Sequence, residues 1–137
     1  MLLEEKAPVA CRKIWDALPI DGLVRHARWS GGAGYVIVSG LADPAYRGAA
    51  HPQLNLPENF NSFLQIGTLN YIAAYGELLI CYDQAQSRGP EGNQWAARVA
   101  DLEGDRAPLF AALARVQHSG ALPIRISVQG DPRPEGR

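Results

Sequence analysis

Glycine and proline cut this sequence into short segments, and that punctuation constrains the fold more than any single motif. The 14 glycines and 10 prolines of the 137-residue chain recur between short apolar stretches, the pattern of many brief strands joined by turns. Leu23, Ala27 and Trp29 alternate with Val24, His26 and Arg28, the period of a strand with one buried face, so the odd-numbered set is expected to face the core. The run Gly31-Gly32-Ala33-Gly34 predicts a hairpin turn over 30–34, and Tyr35-Val36-Ile37-Val38 reads as the returning partner. Further strands are expected over 61–72, 77–83 and 95–102, the last two separated by a polar loop over 84–94 that carries Gly89, Pro90 and Gly92. After Pro123, Ile124, Ile126 and Val128 alternate with Arg125 and Ser127, which adds one more strand.

Two segments take a helical period instead. Cys11, Ile14, Trp15 and Leu18 fall on one helical stripe, with Pro8 suited to a first turn and Pro19 placed to stop the helix. Asp105 is positioned to cap a second helix whose stripe is Leu109, Phe110, Leu113 and Val116, and Gly120 ends it. The stretch 41–60, with Pro44, Pro52 and Pro57, has little periodicity, and a long structureless loop is more often functional or interfacial than filler. Many strands and two helices predict a mainly β protein: an antiparallel barrel, closed or nearly so, with the helices over its ends. Residues 1–128 form the single domain of this reading, and 129–137, rich in proline and glycine, a disordered C-terminal tail.

Composition excludes several classes. Lys and Arg total 13 against 14 Asp and Glu, a net charge of −1, which gives no footprint for nucleic acid or an anionic membrane surface. Apolar runs such as Leu78-Leu79-Ile80-Cys81 are far short of the roughly 20 residues that span a bilayer. The opening Met-Leu-Leu-Glu-Glu-Lys is not a secretory leader, so the cytoplasm is the expected compartment. Cys11 and Cys81 stand 70 positions apart outside any paired motif and are read as reduced core thiols. His26, His51 and His118 share no ligand spacing, so neither a metal nor another cofactor is implied.

The order of elements resembles the cyclophilin-like barrel. Glu4-Glu5-Lys6-Ala7-Pro8-Val9-Ala10-Cys11 is similar to that superfamily's strand to Ala-Pro to helix entry. Pro57-Glu58-Asn59-Phe60 and Gly76-Glu77-Leu78-Leu79-Ile80-Cys81 resemble its E-N-F stretch and its G-S-Q-F-F-I-C strand. Trp95 and the segment Arg98-Val99-Ala100-Asp101-Leu102-Glu103-Gly104 resemble the run before its second helix. Closer still are small prokaryotic cyclophilin-like proteins of unknown function, whose pattern is echoed in residues 7–19, in Gly67-Thr68-Leu69-Asn70-Tyr71 and in 76–82. The resemblance implies a groove in which Glu77 takes the place of a glutamine. The region Val24-Arg25-His26-Ala27-Arg28-Trp29 lacks the phenylalanine, proline and glutamine of the cyclophilin catalytic segment. Prolyl isomerisation is therefore the alternative function, and a non-catalytic oligomeric module a second alternative.

The residues that carry chemistry are few. Strand parity places His26 and Arg28 on one face about 7 Å apart, given roughly 3.3 Å of rise per residue. A guanidinium suits a carboxylate or polarised carbonyl, and a neighbouring imidazole exchanges protons near neutral pH; a solvated polar strand face is the bland alternative. Tyr71, Tyr82 and Trp95 are read as walls of a ligand groove or as core, and His51 as a lid or an interface residue. The leading expectation is a groove that binds or processes a small carboxylate or cyclic amide, with His26 and Arg28 as the reactive pair and Glu77, Tyr82, Tyr71 and His51 around the ligand. A short first strand and the apolar loop 41–60 predict a homo-oligomer, most simply a dimer.

Overall fold

The structure is a computed structural model and describes residues 1–43, 58–89 and 92–130. His51 and most of the long loop lie outside the described residues, as do residues 131–137 of the expected tail.

Helix α1 (Pro8–Ala17) begins at its proline, and α2 (Ala107–Ser119) ends at Gly120, whose φ of 85° suits glycine. The strands are β1 (Ile20–His26), β2 (Gly31–Ile37), β3 (Phe60–Asn61), β4 (Phe63–Leu64), β5 (Thr68–Ile72), β6 (Glu77–Gln86), β7 (Arg88–Gly89), β8 (Gly92–Asn93), β9 (Ala96–Asp101) and β10 (Leu122–Ile126). Eight of them form one antiparallel sheet in the order β10-β1-β2-β6-β5-β9-β3, with β4 paired to the far end of β6, while β7 and β8 make a small separate hairpin. The protein is thus mainly β with two helices, as expected.

The expected closure into a barrel is not made among the described residues. The ends of the sheet, β10 and β3, do not pair with each other. The N-terminal segment lies on β9, where Leu2 bridges Ala100 and the Leu3 N–H donates to the Val99 carbonyl at 2.8 Å.

The sheet has two differently filled faces. One carries Ile20, Val24, Val36, Leu78 and Ile80, and onto it pack Ile14 of α1 and Leu113 and Val116 of α2. The other carries a smaller cluster, Ala27, Ala33, Leu79, Cys81, Ile72, Leu64 and Ala96, with Tyr35 against it and no helical residue in it. Leu78-Leu79-Ile80-Cys81 of β6 and the whole of β5 are buried without alternation, because both faces of these central strands are covered; in β5 the buried Asn70 amide donates to the buried Thr68 hydroxyl. Cys11 and Cys81 are both buried and free.

Three local expectations are corrected. In β1 the buried parity is that of Ile20 and Val24, while Leu23 is 45% and Trp29 57% exposed: α2 docks on the even-numbered face, and the strand ends at His26, before Trp29. Trp15 is 52% exposed, because α1 buries the narrower stripe Ala10, Cys11 and Ile14. The glycine run is not the hairpin turn, which falls at residues 28–30, but the start of β2. At Gly34 a Cβ would stand 2.6 Å from Leu113 Cδ2 and 3.0 Å from Val24 Cγ2, so this glycine lets α2 approach the sheet.

The start of α1 is capped from afar. The Val9 and Ala10 N–H groups donate to Glu58 Oε1 and Oε2, both at 3.0 Å, so a carboxylate 48 positions away from Ala10 satisfies donors that have no partner within the helix.

Candidate functional site

The open face of the sheet holds a cavity of about 550 Å³, within the range of small-molecule sites. Its floor comes from β2 and β6. Tyr35 and Ile37 project from β2, and Glu77 opens β6 in register with Ile37 on one side and Ile72 on the other. Its rim is the 28–30 turn with Arg28 and Trp29, the Tyr75 turn, Arg88 and Gly89 of β7, and Gln94.

Ser30 fastens two parts of this rim together. Its hydroxyl accepts from the Arg88 N–H and donates to the Arg88 carbonyl, each at 3.2 Å, and its own carbonyl accepts the Gln86 N–H at 2.8 Å. The turn carrying Arg28 and the segment carrying Arg88 are therefore held as one edge.

Glu77 sits between two isoleucines on the neighbouring strands, and burial pushes its carboxyl up to about 7. Among the described residues its carboxylate has no ion pair or hydrogen-bond partner, and neither have the guanidinium groups of Arg28 and Arg88. Three ionisable side chains thus line one cavity with none compensating another. The apolar part of the lining is also unspent: Trp29, Ile37 and Tyr75 are 57%, 47% and 40% exposed.

The other residues singled out from sequence lie elsewhere. His26 shares the helix-covered face with Val24, not a face with Arg28, and does not line the cavity. Its Nδ1 is 3.0 Å from the Ala27 carbonyl and its Nε2 2.6 Å from the Tyr82 hydroxyl. A carbonyl only accepts, so Nδ1 carries the proton, and in the neutral ring Nε2 accepts from Tyr82. Tyr82 packs on, with ring centroids 6.5 Å apart, Phe110 of α2, over which Arg106 stacks at 5.7 Å; burial, helped by Asp83, raises the Tyr82 hydroxyl above its usual value. Tyr71 is buried in the helix-side core and donates to the Leu41 carbonyl. Trp95 leans on Phe60.

Arg28 and Glu77 therefore meet at one cavity while His26, Tyr82 and Tyr71 do not join them. Arg88, Tyr35, Tyr75 and Gln94 escaped sequence reasoning. Arg88 and Gln94 lie in a segment read as polar loop, and contacts with Ser30 and from the Ser87 N–H to the Ser62 carbonyl fold it back over the sheet. Tyr35 had a legible signal, since it stands opposite in parity to the buried Val36. Among the described residues no group of three or more His, Cys, Asp or Glu side chains is placed to hold a metal ion, and no helix is long and apolar enough to cross a membrane.

Residues 1–128 match the family described as "Protein of unknown function (DUF3830)", and the chain belongs to that family. No curated protein matches it. Among solved structures, one described as "Structure of McbB in complex with tryptophan" is similar in fold, with a TM-score of 0.71 at 16% sequence identity. The likeness covers 97% of this chain and 41% of that one, so the chain spans well under half of that neighbour's length.

Proposed function

We propose that this protein binds a small organic carboxylate in the cavity on the open face of its sheet. The observation that carries the reading is the pair of guanidinium groups, Arg28 and Arg88, uncompensated among the described residues, on one rim above walls of Trp29, Tyr35, Ile37 and Tyr75. A guanidinium matches a carboxylate with two parallel hydrogen bonds, and the exposed rings offer an apolar seat for the remainder of the ligand. Between the two ligand classes expected from sequence, the two guanidinium groups at the cavity favour a carboxylate over a neutral cyclic amide. The structural neighbour described in complex with tryptophan, itself a carboxylate with an aromatic body, is in keeping with this choice. In this reading Arg28 and Glu77 belong to the binding site, and His26 and Tyr82 hold β1 and β6 beneath α2.

Isothermal titration against a panel of aromatic and aliphatic carboxylates tests the proposal. Arg28→Ala is expected to weaken the best binder by about 1.5–3 kcal/mol, the range for a hydrogen bond to a charged group, with an unchanged melting temperature. A panel in which nothing binds, or a binder indifferent to both Arg28→Ala and Arg88→Ala, overturns it.

A further inference from the structure

Resting on that reading, we infer that the ligand is a zwitterion of the amino-acid type with an apolar or aromatic side chain, its carboxylate held by Arg28 and Arg88 and its ammonium by Glu77. The argument begins with what Glu77 does to the other candidates. A ligand carrying only a carboxylate brings negative charge into a cavity of about 550 Å³ whose floor already holds an acidic group, so each ionised form opposes the other. A ligand carrying only an ammonium meets two guanidinium groups across the same space. A molecule with both signs compensates all three side chains at once, and the rings of Trp29, Tyr35 and Tyr75 take up its apolar part.

The position of Glu77 sharpens the point. It heads the central strand β6, its two in-register neighbours are Ile37 and Ile72, and no described donor reaches its carboxylate. A carboxylate in such a place is costly unless something ionic joins it. Its raised value, about 7, agrees with that cost. The titratable or charged groups that share the cavity with it are Arg28 from the turn, Arg88 from β7, Tyr35 from β2 and Tyr75 from the turn before β6.

Opposite pH dependences follow for the two ligand types. A zwitterion binds more tightly as Glu77 ionises, whereas a plain carboxylate binds less tightly. Isothermal titration with L-tryptophan, indole-3-propionate and tryptamine separates them, the three sharing one ring and differing only in their charges. On the unaltered protein, L-tryptophan is expected to bind about tenfold or more tighter than either analogue, and its affinity to rise between about pH 6 and about pH 7.5. Glu77→Gln is expected to abolish both the pH dependence and the advantage over indole-3-propionate. If indole-3-propionate binds as well as L-tryptophan, or loses nothing as pH rises, the zwitterion is wrong and the carboxylate site stands. If tryptamine binds best, or none of the three binds at up to about 1 mM, the zwitterion falls together with the carboxylate site. The probe and pH comparisons on the unaltered protein decide the matter even if the variant folds poorly.

Discussion

On the helix-covered face of the sheet, Val24, Val36, Leu78 and Ile80 meet Ile14, Leu113 and Val116 in a continuous core; on the open face, Ala33, Leu79 and Cys81 are packed, but Tyr35, Ile37 and Glu77 on the same strands are left at a cavity. The same strands supply both. The difference, among the described residues, is the covering layer, since two amphipathic helices fill one side, while the short β7–β8 hairpin reaches the other. A face closed by helices spends its side chains on stability, and a face closed only in part keeps charged and aromatic groups free for a partner. The polar groups follow the same division. His26 and Tyr82, toward α2, satisfy one another, whereas Arg28, Arg88 and Glu77 have no ion-pair or hydrogen-bond partner for their charged groups among the described residues.

The largest expected effect tests that division directly. Leu113→Ala, at a residue 1% exposed, should cost about 2–5 kcal/mol in urea unfolding. Trp29→Ala should stay within about 0.5 kcal/mol. Comparable losses at the two positions would mean that the open face is as much a part of the core as the other.

Glu77 provides the next measure. Because its carboxyl is raised from 4.5 to about 7 in the folded protein, the native state holds a proton that the unfolded chain has released between those values. Stability should therefore fall as pH rises from about 4.5 to about 7, by about 2–3 kcal/mol. Glu77→Gln should remove this decline, leaving the variant more stable than the parent at pH 7 and similar to it at pH 4. A parent whose unfolding free energy does not decline relative to the variant over that window would place the carboxyl in water and deprive the cavity of its acidic floor.

A smaller effect is expected on the opposite side. Tyr82→Phe removes the hydroxyl that His26 accepts and should cost about 0.5–1.5 kcal/mol by chemical denaturation, with ligand affinity unaltered. A loss of affinity comparable to that of Arg28→Ala would join the two faces into one site and undo the contrast.

Much of the architecture was legible because it rests on local periodicity. The stripes of α1 and α2, the proline and glycine at their ends, the strand after Pro123 and the apolar run of β6 each depend on neighbours in sequence. The parity of β1 did not. Alternation says that two sets of residues face opposite ways, and only the docking of α2, close against Gly34, selects Val24 over Leu23 for burial. The resemblance to cyclophilin-like barrels located Glu77 as a candidate, and strand reading located Arg28, but their convergence depends on the Ile37–Glu77 register and on Ser30 holding residues 28–30 to Arg88.

By itself, then, the sequence determined what single segments can do: helical or extended periods, turns at glycine and proline, thiols destined for burial, a balanced charge without a nucleic-acid footprint. Tertiary structure decided which segments meet. It laid the N-terminal residues on β9 and, among the described residues, left the sheet unclosed, capped α1 with Glu58 from 48 positions away, and set His26 and Arg28 on opposite sides of the sheet. The physical reason is that periodicity is a short-range property of one chain segment, whereas the face a strand buries and the charges that gather at a cavity follow from packing between segments distant in sequence, where several pairings satisfy the same local pattern and only the sum of their contacts chooses one.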